Sequence, residues 1–171
     1  MGVIADSSSL IVLARLDALW LLTRLFRSVA LTHVVELETV TQGKAHGYAD
    51  AGRIEAAIQA GQITVISPTA AERRLAATWQ RHGPSLSRAD CLTLVCAKER
   101  GLVLVMEEQR GRKLAVAHSI IYVTIQALPL LGCIQKQLSF AECSDLLTLI
   151  GQAMRTDPSI LAVLQAASSE I

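Results

Sequence analysis

The sequence predicts an α/β fold: a central parallel sheet with helices on both faces, followed by a helical C-terminal tail. Three observations point there. Short apolar runs alternate with helical patterns over the first 124 residues. One of those runs, residues 102–106, is apolar without interruption, as a parallel strand buried on both faces requires. The 171 residues are 51% hydrophobic but only 4% aromatic, so Ala, Leu, Ile and Val must build the core.

Gly2-Val3-Ile4-Ala5 reads as a short buried strand that stops at Asp6. Ser7, Ser8 and Ser9 offer capping hydroxyls to a helix over the apolar run 10–16. Leu19, Leu22 and Phe26, at helical spacing, predict a second helix over 17–26. Val29-Ala30-Leu31 is the next strand, and Thr32 caps a helix over 33–40. Residues 43–47 are expected as a loop. Ile54, Ala57 and Ile58 share one face of a helix over 48–60 that Gly61 ends, and Ile63-Thr64-Val65-Ile66 is the third strand. Leu75 and Trp79, four residues apart, fit a helix over 68–81 that His82-Gly83-Pro84 breaks. Ser87 caps a helix that runs to Arg100 and ends at Gly101. After the central strand come Glu107 and Glu108, a helix over 110–117 and a strand over 120–124. The remainder is helical, with breaks near Leu138 and at Asp157-Pro158. No repeat, linker or low-complexity tract interrupts the chain. The expected organisation is one domain over 1–137 and a helical extension over 138–171, packed on the same domain or on a partner.

Sixteen basic and fifteen acidic side chains leave a net charge of +1, which gives no global pull toward nucleic acid or a membrane. Any RNA contact must come from a local patch. Cys91, Cys96, Cys133 and Cys143 form no C-x-x-C pair and lie in apolar stretches, as small core residues in a reducing cytosol would. Asp6 and three serines interrupt the first apolar run, so no signal peptide is expected. No apolar stretch reaches the roughly 18 residues that would span a bilayer. The expectation is a cytoplasmic protein, and the apolar excess suits a homodimer. His33, His46, His82 and His118 lack the spacing of a zinc site. Trp79 and Tyr48 are isolated in sequence and are expected to pack rather than to stack bases. There is no G-x-G-x-x-G, Walker A or G-x-S-x-G motif. A phosphate-accepting receiver domain would want paired acids after its first strand, where this chain has Asp6 alone.

In open parallel sheets, functional groups gather beyond the carboxyl ends of the strands. Asp6 ends the first strand, and Glu107 and Glu108 end the long central one. Asp90 opens the helix leading into that strand, and Glu38 lies on the helix after the second strand. Such acids could converge on one rim, where like charges raise one another's pKa values unless a cation neutralises them. Hard oxygen donors of this kind select Mg²⁺ or Mn²⁺. Arg110, Arg112 and Lys113, just beyond the acid pair, are candidates to hold an RNA backbone.

The order of these segments carries a family resemblance. Val3-Ile4-Ala5-Asp6-Ser7-Ser8-Ser9-Leu10-Ile11 resembles the opening of PIN-domain nucleases. Residues 31–65, with Glu38, Gly43-Lys44, Gly47-Tyr48 and Asp50-Ala51, look like a PIN subgroup related to VapC-type toxins. Ser87-Arg88-Ala89-Asp90 and Met106-Glu107-Glu108-Gln109-Arg110-Gly111-Arg112-Lys113 are similar to the third and fourth acidic segments. The resemblance covers about residues 2–135 and implies a PIN-like three-layer sandwich. It also implies a Mg²⁺- or Mn²⁺-dependent endoribonuclease that hydrolyses RNA phosphodiesters, as the toxin of a toxin–antitoxin pair. Asp6, Glu38, Asp90 and Glu108 match its catalytic acids. The metal would fall to Asp6, Asp90 and Glu108, with Glu107 as neighbour or substitute, and Ser8 would support Asp6. The sequence departs from the family at the fourth segment. Met106 stands where a threonine is usual, and two glutamates replace aspartates. That departure motivates the alternative of a catalytically impaired PIN module that binds RNA or protein.

Overall fold

Each apolar run becomes a strand: β1 (Gly2–Ala5), β2 (Ser28–Thr32), β3 (Thr64–Ile66), β4 (Val103–Val105) and β5 (Tyr122–Val123). In the computed structural model, which describes residues 1–82 and 86–169, all five pair in parallel in the order β3-β2-β1-β4-β5. Val3 lies opposite Val29 on one side and Val103 on the other. The chain therefore winds outward from β1 through β2 to β3. It then crosses to β4 on the far side of β1. The carboxyl ends of β1 and β4 flank the switch point, where open sheets form their crevice.

Side chains along each strand alternate between two cores. Val3, Ala5, Val29, Leu31, Val103 and Val105 join Leu10, Leu13, Leu21, Leu22, Ile54 and Leu128 on one face. Ile4, Ala30, Leu104 and Met106 join Ala76, Trp79, Leu92 and Val95 on the other. The first face is covered by α1 (Ser7–Arg15), α2 (Trp20–Leu25), α5 (Ala49–Gln59) and α9 (Leu128–Ile134). The second is covered by α6 (Ala70–His82), α7 (Arg88–Arg100) and α8 (Gln109–Ala117). Helices on both faces of a parallel sheet make the three-layer α/β sandwich the sequence predicts. In the tail, α10 (Phe140–Ala153) sends Cys143, Leu146, Leu147 and Ile150 into the first core. The last helix, α11 (Pro158–Ser169), packs on α10, where Leu161 presses on Gly151.

Several boundaries differ from expectation for local reasons. α2 starts at Trp20 rather than at 17, because Asp17 takes a left-handed conformation (φ 54°) that stops helical continuation. Residues 43–47 are not wholly loop. The helix after β2 continues as α3 (His33–Glu36), a π-helical segment (Leu37–Gln42) and α4 (Gly43–Ala45). Gly43 is there for close packing, since a Cβ on it would sit 2.8 Å from the Cβ of Ala51 on α5. α6 begins at Ala70, where Thr69 N–H donates to Glu72 Oε2 (2.6 Å) and Glu72 N–H donates to Thr69 Oγ (3.2 Å). β5 keeps two residues of the five expected. The Gly83-Pro84 break lies outside the described residues.

Neither Trp79 nor Tyr48 is isolated. Trp79 stacks on His118 (centroids 4.0 Å, 12° apart), from the next helix but one, and Tyr48 on its near neighbour His46 (5.7 Å, 15°). All four cysteines are free and buried. Among the described residues, no helix is long and apolar enough to cross a membrane.

Candidate acidic site at the carboxyl rim

Asp6 is the N-cap of α1 and is 1% exposed. Its Oδ1 accepts the Ser9 N–H at 2.8 Å, the bond an N-cap aspartate makes to the third helical residue. Its Oδ2 is buried and has no hydrogen-bond partner among the described residues. Burial pushes the Asp6 carboxyl above its usual range, the Ser9 and Ser8 groups oppose the shift, and the charge of Asp90 adds to it. A buried acceptor left without a donor is costly, which is why such atoms mark places where a ligand completes the set.

Three elements bring further acids to this rim. Asp90 stands in the first turn of α7, where its Oδ2 accepts from Ser87 N–H (3.1 Å) and Ser87 Oγ (2.8 Å) in a capping box. Glu38 lies in the first turn of the π-helical segment, and its Oε2 accepts from Ser7 Oγ at 2.5 Å, next to Asp6. Short π segments recur at functional sites, because the extra residue redirects the side chains around it. Glu107 follows β4, with its side chain 16% exposed. Its Oε1 accepts the Ile125 N–H at 2.5 Å, and its Oε2 lies 4.0 Å from the Arg112 guanidinium. Burial raises the Glu107 carboxyl. The Ile125 amide and Arg112 counter this, and the Asp6 charge reinforces it.

Glu108 is used differently. It is exposed and caps α8, with Oε1 accepting the Arg110 N–H at 3.2 Å. Of the acid pair, Glu107 shares the field of Asp6. Arg112 also turns inward, donating to the Glu107 carbonyl, whereas Arg110 and Lys113 are exposed. Met106 is fully buried against Gly111, whose missing Cβ would otherwise stand 2.0 Å from the Met106 sulfur. The methionine thus fills a socket that the glycine leaves open.

Three groups that shape the site are not apparent from local pattern. The Ser9 amide was recoverable by treating Asp6 as an N-cap. The Ser7 hydroxyl and the Ile125 amide had no signal, since their partners lie 31 and 18 residues away. Directly after β2, the His33 Nδ1 is also buried without a partner among the described residues.

The carboxylates of Asp6, Asp90 and Glu107 suit a hard divalent cation, and the orphaned Asp6 Oδ2 is the atom such a cation would satisfy. Among the described residues, no three acidic, histidine or cysteine side chains form a group that could hold a metal ion by themselves. Mg²⁺ does not need one, since it keeps several waters and takes one or two carboxylates. The donors present fit that mode of binding.

No protein of curated function matches the chain. A family model of the PIN domain matches residues 2–168, nearly its whole length. The chain therefore belongs to the PIN-domain family, a nuclease-type fold whose members are generally nucleases.

Proposed function

We propose that the protein is a Mg²⁺- or Mn²⁺-dependent endoribonuclease. The observation that carries this reading is the buried Oδ2 of Asp6, partnerless among the described residues, at the β1–β4 switch point and within the field of Asp90 and Glu107. Asp6 and Glu107 would hold the ion, and the charge of Asp90 would help to draw it in. When bound, it neutralises the carboxylates and stabilises charge on the scissile phosphodiester. The Ser9 amide fixes the Asp6 carboxylate, and Glu38, held by the Ser7 hydroxyl, would orient the attacking water. Arg110 and Lys113 hold the RNA backbone beside the rim.

The resemblance of residues 31–65 to VapC-type toxins supports a toxin role, with an antitoxin that covers the acidic rim and inserts an arginine. It also supports a homodimer in the cytoplasm, with residues 138–171 as an extension of the nuclease domain. A second reading, an impaired PIN module that binds RNA or protein, draws on one observation. Two neighbours, the Ile125 amide and Arg112, already engage the Glu107 carboxylate.

The test is cleavage of mixed single-stranded RNA with millimolar Mn²⁺ by wild type, Asp6→Asn, Glu107→Gln and Glu108→Gln. The nuclease reading expects Asp6→Asn and Glu107→Gln to lose at least about 100-fold, since even outer ligands of a metal site are worth roughly 10–100-fold. Glu108→Gln should remain close to wild type. Wild type that cuts no RNA with either ion would refute the nuclease reading and leave the binding module.

A further inference from the structure

Beside the acidic rim lies a cleft of about 190 Å³ between α1, the π-helical segment and the start of α5. Glu38 lines it and so joins it to the rim through the Ser7 bond. One wall is aromatic. Tyr48 is 53% exposed and stacks on His46, whose Nδ1–H donates to the Gln42 carbonyl at 2.7 Å and so fixes the pair in place. The inner end holds Asp50, whose side chain is 8% exposed and meets Arg15 Nε at 3.3 Å. Arg15 itself is 59% exposed at the mouth.

These parts match what single-stranded RNA needs. An exposed aromatic ring held by a second ring stacks one base, an arginine at the mouth can meet a phosphate, and buried side chains read the pairing edge. The two carboxylates lining this cleft, Asp50 and Glu38, only accept hydrogen bonds when ionised. Guanine offers adjacent N–H donors on its pairing edge, adenine and cytosine offer one amino group, and uracil offers a single imino N–H flanked by two carbonyls that a carboxylate repels. We propose that this cleft seats a nucleobase of the RNA strand that runs along the acidic rim. The base stacks on Tyr48 and is read through its N–H donors by Asp50, with guanine favoured and uracil disfavoured. The proposal rests on the nuclease reading for its ligand class, and it deepens that reading by assigning a base subsite.

The experiment measures binding of end-labelled pentanucleotides, all-uridine or with one central guanosine, by fluorescence anisotropy. Wild-type protein is used in excess chelator, so that nothing is cut. The guanosine RNA should bind more tightly than the all-uridine RNA. Tyr48→Ala should weaken it about tenfold and narrow the difference, in line with the usual worth of one base stack. Tyr48→Trp should bind like wild type. Asp50→Asn, checked by its melting temperature, should remove the guanosine preference; if it fails to fold, the two Tyr48 variants carry the test. Equal binding of both RNAs by wild type, unchanged affinity in Tyr48→Ala, or no binding of either RNA would each overturn the proposal. RNA cleavage in Mn²⁺ with the same KM and base pattern in Tyr48→Ala would sink the cleft and leave the nuclease reading standing. Binding that depends on Tyr48, in a protein that cuts nothing, would do the reverse.

Discussion

Asp6→Asn should make the metal-free protein more stable, although it removes the residue on which the proposed chemistry depends. The wild-type carboxylate is 1% exposed, has one oxygen without a partner among the described residues, and faces the charges of Asp90 and Glu107. Asparagine keeps an oxygen for the Ser9 amide and removes the charge. A buried acceptor left unsatisfied costs about 1–3 kcal/mol, and more when charged, so relief of the charge should return about 1–2 kcal/mol. For a domain of this size each kcal/mol moves the melting temperature by roughly 2–4 °C, so a rise of about 2–8 °C is expected. The sign of the pH dependence follows from the same burial. Because the folded carboxyl titrates above its ordinary 3.8, the penalty is full well above the folded pKa. It fades as pH falls toward 3.8, so the gap between variant and wild type should close in acid. Calorimetry at pH 7 and near pH 4, in chelator, measures both quantities. Millimolar Mn²⁺ should then reverse the order, since an ion at ~100 times its Kd adds about 2.7 kcal/mol to wild type alone. A variant less stable than wild type at pH 7, or a gap that widens in acid, would refute the reasoning.

Two further outcomes follow from packing elsewhere. The bidentate Arg100–Glu72 pair (2.7 and 2.9 Å) holds the Glu72 carboxyl down at about 2, below its ordinary 4.5. Its stabilisation is complete above about pH 4.5 and is lost as pH falls toward 2. With Arg100 31% exposed and partly screened, the pair should contribute about 2 kcal/mol, and Arg100→Met should flatten acid denaturation in that window. Gly111→Ala drives a methyl group into the Met106 sulfur and should cost about 1–3 kcal/mol in denaturant unfolding. Met106→Ala on the same background should recover part of that loss, and simple additivity of the two would disprove the contact.

The strands and the acids that end them were legible because a buried run stops where a charge cannot follow. Asp6 and Glu107 are also the rim acids that β1 and β4 bring together at the switch point. What local pattern could not supply was the choice between Glu107 and Glu108. Both follow β4, and their roles are divided by the Ile125 amide on one side and the first turn of α8 on the other. Gly43 misled for a similar reason. Read along the chain it breaks a helix, but its lack of a side chain answers to Ala51, which only tertiary packing brings near. Tyr48 and His46, two residues apart, stack because the end of α4 and the cap of α5 form one tight corner.

The strand order also sets a sequence of assembly. Of the five strands β1 is made before the others, yet it pairs with β4, about a hundred residues later, as Val3 opposite Val103. β1, β2 and β3 can form half a sheet early, since their connections are closer in sequence. Until β4 arrives, that half-sheet carries β1 as an open edge, with Asp6 at its end and no Glu107 beside it. The strand pairing slowest to close is thus the one that completes the acidic rim. A nascent chain that has not yet reached β4 holds Asp6 without Glu107, and the β1 edge it exposes is a surface that chaperones or another chain can occupy.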